Sequence, residues 1–457
     1  MTHRAGFRRH SLVLGAVMVL MSVWMLEYST FLVRSRFWDF VIKLGCLGPG
    51  LVLLVARPPA RAYWRVIALY AALFATAVIG AVTTLDLVGI LQVLKIALGF
   101  MILPVMLGLV SPGQAPPSVV IKTPVIWGVT FAIQAVALAA YSLSGRLPAA
   151  EPILIPRLGE QYRQTANPWF GIGVSSSDWG YYHQRAQGWF IEPSILGAFL
   201  IYPTVVLFGY YRQTGRLRYL LATVVCAAGL GFTVSVAAAL GLAVSVLALV
   251  VFRPSARVHH RISLPILLRT GAMLIAFLWV SNFALQQAYA IRGSEGRGSA
   301  VGYLLGRDDD QTLIRGSARI DETLEVLSRR PLGVGLGGTL GTSELTSASA
   351  LIYWIQAGGA PAAVALIGIY GTLFFSFCLP ALRSGHQVHR HVAAAFLGVT
   401  VHNLSYGNWM APFYLFGVGA MMICGESARR SAAARRATAA TNARVGMAVA
   451  RPIATEV

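Results

Sequence analysis

The chain has 457 residues, is 56% hydrophobic and is only 12% charged, against about 25% in a soluble domain. Apolar runs of roughly 18 or more residues recur from end to end, each long enough to cross a bilayer, so a large soluble domain is excluded. The net charge of +20 falls in short loops between those runs and reads as membrane topology, not nucleic-acid binding.

In chain order the apolar runs predict an all-α polytopic membrane protein of about twelve transmembrane helices. The first five spans are 11–28, 38–56, 63–82, 87–110 and 119–143. The next four are 193–210, 217–234, 237–252 and 264–285, and the last three are 361–379, 392–404 and 409–424. The pair between Leu217 and Phe252 must turn tightly near Ser235, and span 392–404 extends toward His389. MTHRAGFRRH at the start resembles the charged end of a signal peptide, but no small-residue cleavage site follows, so it reads as a retained first helix. Cys46, Cys226, Cys378 and Cys424 all lie inside apolar runs, without metal-ligand spacing or a disulfide framework.

Basic residues mark one side. RPPARAYWR, the Lys122 loop, YRQTGRLR, RPSARVHHR, LRSGHQVHRH and the tail ESARRSAAARR alternate with loops such as TLD and YGNW that carry almost no basic residues; RSR at Arg34 is the exception. The positive-inside rule then puts both termini in the cytoplasm. The chain divides into spans one to five (1–143), a first long outer loop (144–192), spans six to nine (193–285), a second long outer loop (286–360), spans ten to twelve (361–425) and a basic tail (426–457). Rich in Ala and Arg and lacking an apolar face, the tail is predicted to be disordered.

The first long loop leaves through RAQGWFIEPSILG, Arg185–Gly197. Pro193 suits the first turn of the next helix, where its missing N–H has no intrahelical acceptor to lose. Arg185 and Glu192 then stand at the mouth of that helix. The alternative is an ordinary interfacial turn, with Arg185 and Trp189 as headgroup anchors.

The second loop predicts a helix from Ser317 to about Arg329. Ser317 is a suitable N-cap, Ile320, Leu324 and Leu327 share one face, and Pro331 stops it. Arg315 and Arg319 cluster at its N-terminus, where free N–H groups and two guanidinium forks make an anion site. Pairing of Arg319 with Asp321 or Glu322 is the competing reading. PLGVGLGG follows; it fits a dinucleotide-binding spacing but lacks the strand that the motif needs. Its glycines allow tight turns and close backbone approach. Asp308–Asp310 read as a solvated acidic turn, not a metal site. Lys43 and Lys95, inside spans two and four toward their outer ends, either line the same outward pocket as the arginines or snorkel to the surface.

RAQGWFIEPSILGAF, RGSARIDETLEVLSRRPLGVGLGG and the layout of spans with the larger outer loop between spans nine and ten together resemble the bacterial O-antigen polymerase and O-antigen ligase superfamily, which includes exopolysaccharide repeat-unit polymerases. The resemblance implies a class C glycosyltransferase-like bundle with two long outer loops, in the bacterial inner membrane. It implies a substrate carried on undecaprenyl pyrophosphate at the periplasmic face, with no metal, nucleotide sugar or other cofactor. Partners would be the lipid-linked oligosaccharide, the bilayer, and a chain-length regulator and flippase of the same pathway, without nucleic acid. The family's loop arginines correspond to Arg185 and Arg319, with Arg315 adjacent. Glu192, a lone carboxylate at the mouth, is the candidate base, so the catalytic set is Arg185, Glu192 and Arg319, and the substrate-binding set Arg315, Lys95 and Lys43. Ligases of this superfamily carry a His-Asn pair after the glycine-rich stretch. Here that region reads TSELTSASALIYW, which favours polymerisation over ligation. His402-Asn403 near the outer end of span eleven, or His183, are possible substitutes, but each also suits a core or interfacial position. A lipid-linked glycan transporter is the alternative of another class, and no internal repeat supports it.

Overall fold

The structure is a computed structural model that describes residues 58–110, 118–143, 171–176, 182–188, 193–233, 235–252, 323–336, 350–405 and 412–449, with Val52 and Val55 besides. Predicted spans 11–28 and 264–285, and all of 38–56 but those two valines, lie outside the described residues.

The described chain is helical apart from one hairpin. In order it forms α1 (Arg61–Thr83), α2 (Leu87–Phe100), α3 (Ile102–Leu109) and α4 (Ser118–Leu143), then β1 (Gly171–Ser176) and β2 (Tyr182–Gly188). There follow α5 (Pro193–Thr214), α6 (Leu217–Phe232), α7 (Val236–Val251), α8 (Ala350–Leu373), a π-helical turn (Phe374–Cys378), α9 (Leu379–Leu382), α10 (Gln387–Ser405) and α11 (Pro412–Val449).

Among the described residues, five helices are long and apolar enough to cross a membrane: Arg61–Thr83, Gly89–Gly108, Ser118–Ala137, Ser194–Thr214 and Leu351–Leu382. Leu217–Phe232 and Ala237–Val251 are apolar but shorter. This is a membrane protein. Three of the twelve predicted spans lie outside the described residues or nearly so, and among the remainder these five helices meet the length and hydropathy of a crossing. Span 87–110 is two helices that meet at Met101. The predicted turn near Ser235 exists: Ser235 caps α7 by accepting the Ala238 N–H through its hydroxyl at 3.3 Å.

The bundle is centred on α5, whose face is buried against α4, α6, α7 and α10. Phe199 of α5 meets Phe131 of α4 and Phe413 of α11 edge-on, with ring centroids 5.4 and 5.7 Å apart. At the end where α5 finishes, Lys122 lies over the Tyr210 ring. There Arg390 of α10 donates to Leu249 O at the end of α7 (3.0 Å) and to Leu382 O at the end of α9 (3.1 Å). This is the basic end. The opposite end gathers the end of α4, the starts of α5 and α7 and the end of α10, and the hairpin packs there.

A second packing unit joins α1 to α8. Span ten was predicted from 361, but α8 starts at Ala350 and is broken at Gly359, with φ 67° and ψ −155°. The break frees backbone groups, and segment 331–336 takes them up. Val334 and Gly335 donate their N–H groups to Gln356 O (3.0 Å) and Ala357 O (2.9 Å), and Ala360 N–H bonds to Pro331 O (2.9 Å). Thr84, just past α1, donates its hydroxyl to Val334 O at 3.1 Å. No Cβ fits at Gly80 of α1, where it would run into Ala357 O. The glycine-rich stretch after Pro331 is therefore a strap between α1 and a broken helix.

Two further differences concern elements. Residues 323–329 are helical, as predicted, but Leu324 is 58% exposed while Thr323 and Val326 are buried. The inward face is thus offset from the Ile320–Leu324–Leu327 stripe, because Gln356 Nε2 holds Thr323 Oγ1 at 2.9 Å and turns that side toward α8. At the other terminus α11 runs unbroken to Val449, through residues whose composition predicts disorder. Ala and Arg are strong helix formers, and Glu426 ties the Arg429 and Arg430 side chains to the turn before them.

Candidate functional site

The end of the bundle opposite the basic residues holds a buried polar group in an otherwise apolar interior. Ser194 stands in the first turn of α5, one residue after Pro193, and is buried. Thr233 closes α6, its hydroxyl bonded to Leu230 O at 2.7 Å, and Ser235 opens α7. Gly197 brings them together: a Cβ built there would stand 2.9 Å from Thr233 Oγ1 and 3.2 Å from Ser235 Cβ. From α10 come His402 and Asn403, both fully buried. α10 packs along α5 and α7, with Gly398, about one turn before His402, against Gly241 of α7. Four helices thus contribute polar groups to one place. Burying such groups without partners costs several kcal/mol, so polar clusters at membrane depth mark function or a built contact.

The hairpin lies over this end. β1 and β2 run antiparallel, with Arg185 opposite Gly173 and His183 opposite Ser175. β2 packs against α4, α5 and α6. Arg185 is therefore carried at the end of the bundle where α5 starts. The sequence predicts a polar loop without elements here, because its short strands alternate only weakly.

Lys95 lies on α2, half-buried and inside the candidate span Gly89–Gly108. It sits nine residues past Asp86, which caps α2 by accepting the Gly89 N–H at 2.8 Å, so at a rise of 1.5 Å per residue it is about 13 Å along the helix. Lys43, Glu192, Arg315 and Arg319 lie outside the described residues, as do Asp308–Asp310. The expected meeting of the two long loops is thus described from one side each: β2 over α5, and the strap between α1 and α8. Among the described residues, no group of three or more His, Cys, Asp or Glu side chains could hold a metal ion.

The polar residues at the start of α5 were missed from sequence. Ser194, Thr233 and Ser235 at the edges of apolar runs look like helix caps, which two of the three also are. His402-Asn403 was legible as a polar pair in an apolar helix but suited a core or interfacial position equally. Comparison with family models, with curated proteins and with solved structures finds no match.

Proposed function

We propose that this membrane protein polymerises oligosaccharide repeat units carried on undecaprenyl pyrophosphate, at the outer face of a bacterial inner membrane. The observation that carries the reading is the docking of β2, with Arg185, against the start of α5, to which the GWFIEPS stretch leads. Charge supports the orientation. Arg61, Lys122, Arg212, Arg216, Arg390 and Arg430 all belong to the end away from the hairpin, as the positive-inside rule asks of a cytoplasmic face.

In this reading an acceptor sugar hydroxyl attacks the anomeric carbon of the lipid-linked glycan. The new C–O bond forms as the bond to pyrophosphate breaks, and undecaprenyl pyrophosphate leaves. Glu192 takes the hydroxyl proton. Arg185 and Arg319 stand where negative charge grows on the leaving group, and such donors are typically worth about 10²–10³ in rate. Arg315, Lys95 and Lys43 hold the substrate's anionic head.

A deletion strain tests the proposal. Single lipid-linked repeat units facing the periplasm are the expected product. Accumulated long lipid-linked polymer identifies a ligase instead, and single units held on the cytoplasmic face identify a transporter.

A further inference from the structure

At the basic end, the corner where α4, α5 and α6 meet holds a run of cations and rings. Lys122 of α4 lies over the Tyr210 ring of α5, its Nζ 5.9 Å from the centroid. Tyr210 stacks on Tyr219 of α6, with centroids 5.4 Å apart and ring planes inclined by 25°. Arg218 lies over Tyr219 in turn, its Cζ 5.0 Å from that centroid, and its Nη2 donates to the Tyr219 hydroxyl at 3.3 Å. Arg216, in the tight turn between α5 and α6, is exposed, as are Lys122 and Arg218. Their charge is unbalanced. The sequence has no Asp or Glu from 87 to 150 or from 193 to 294, so α4, α5 and α6 carry no carboxylate. Among the described residues, no carboxylate pairs with any of the three. α6 also starts here without a side-chain cap, and its first N–H groups add positive potential at the same turn.

Next to this charge the surface turns apolar. Leu217, Leu221 and Val224 are exposed and, at i, i+4 and i+7, share one face of α6. A soluble anion would balance the cations but leave that stripe bare. A lipid without net charge would cover the stripe but leave the cations unbalanced. A phosphate head group with acyl chains and a net negative charge satisfies both.

We infer that this corner binds an anionic phospholipid, its phosphate met by Lys122, Arg216 and Arg218 and its acyl chains lying along Leu217, Leu221 and Val224. The stacked tyrosines hold two of the long cationic side chains in place, so less rotamer freedom is lost on binding. The inference needs only the membrane residence of the chain and is independent of the polymerase reading.

The test uses the full-length protein. Phosphatidylglycerol or phosphatidylcholine is titrated into the detergent-purified protein, and native mass spectrometry reads the affinity of the tightest site. Phosphatidylglycerol should bind more tightly. Lys122→Gln with Arg218→Gln should weaken it about 25-fold, since each basic residue beside an anionic lipid is worth about fivefold. Arg435→Gln with Arg436→Gln removes the same charge from the exposed part of α11 and should leave that affinity near wild type. Hydrogen exchange in nanodiscs locates the site. Amides 217 and 218 should exchange more slowly in phosphatidylglycerol than in phosphatidylcholine, and the Lys122–Arg218 double variant should lose the difference. If that double variant does not fold, Arg218→Gln alone replaces it, with a fivefold loss expected. Equal affinity for the two lipids, or an equal loss in both double variants, overturns the inference. So does equal exchange at 217 and 218 in the two bilayers. Inorganic phosphate that slows the same amides in phosphatidylcholine discs overturns it too, and assigns the corner to a free anion.

Discussion

Arg185 and Arg319 are proposed to work as planar forks that hold two phosphate oxygens, where lysine offers a point charge. Arg185→Lys and Arg319→Lys should each lower polymer formation by about tenfold or more, with the protein level in the membrane unchanged. Arg307→Lys, beside the acidic turn, should have little effect, as suits a solvated pair. Gel profiles of the polymer check this, and near-normal polymer from both key variants removes the pyrophosphate clamp. A different arginine is structural. Arg390 is buried, and its guanidinium meets carbonyls at the ends of α7 and α9. Arg390→Ala leaves those carbonyls without a charged donor and should destabilise the protein by about 1.5–3 kcal/mol. Thermal melting in detergent measures it, and a wild-type midpoint rejects the clamp.

The strap and the broken helix are one device. Gly359 has a positive φ and stands where a Cβ would run into Pro331 O, so Gly359→Ala meets both backbone strain and a collision. The variant should melt well below wild type and expose segment 331–336 to protease; wild-type resistance to cleavage would show that the strap is held elsewhere. At α11, burial alone raises the Glu426 pKa, but hydrogen bonds from Arg430 and Arg429 outweigh it and hold the carboxyl below its usual value. A lowered folded pKa stabilises above the unfolded pKa, and the contribution is lost as pH falls through the folded one. Helix order around 426–430 should therefore decline only on acidification below the usual carboxylate range. Glu426→Gln should abolish that dependence in pH-resolved hydrogen exchange; a persisting one assigns the transition to another group.

For the whole molecule, the decisive issue is which end faces out. Residues at the hairpin end should react with an impermeant thiol reagent in intact cells when Ser175 is changed to Cys. Gly215→Cys, in the turn between α5 and α6 at the basic end, should react only after permeabilisation. Cys226, Cys378 and Cys424 are buried, and Cys46, outside the described residues, is changed to Ser in the labelling background. The reverse pattern turns the molecule over and removes the periplasmic reaction from the proposal.

Membrane residence was legible in the sequence, because bilayer thickness turns hydropathy directly into span length. So were most helix positions: α1, α4, α5 and α6 start within two residues of their predicted spans, since Pro193 and the loop charges mark edges locally. The early start of α8 was not legible. Gly358, Gly359 and Pro361 read as a boundary, and only the strap's N–H groups on Gln356 O and Ala357 O make a broken helix tolerable there. Nor did composition show that the Ala-Arg tail continues α11. The polar cluster at the start of α5 depends on residues about 200 positions apart, Ser194 and His402. Periodicity carries no information at that range. Hydropathy determined that the chain enters a membrane and roughly where; tertiary packing decided that α10, with His402, packs along α5 while β2, with Arg185, docks on that same helix, because contacts between helices are set by which faces interlock and not by any local pattern.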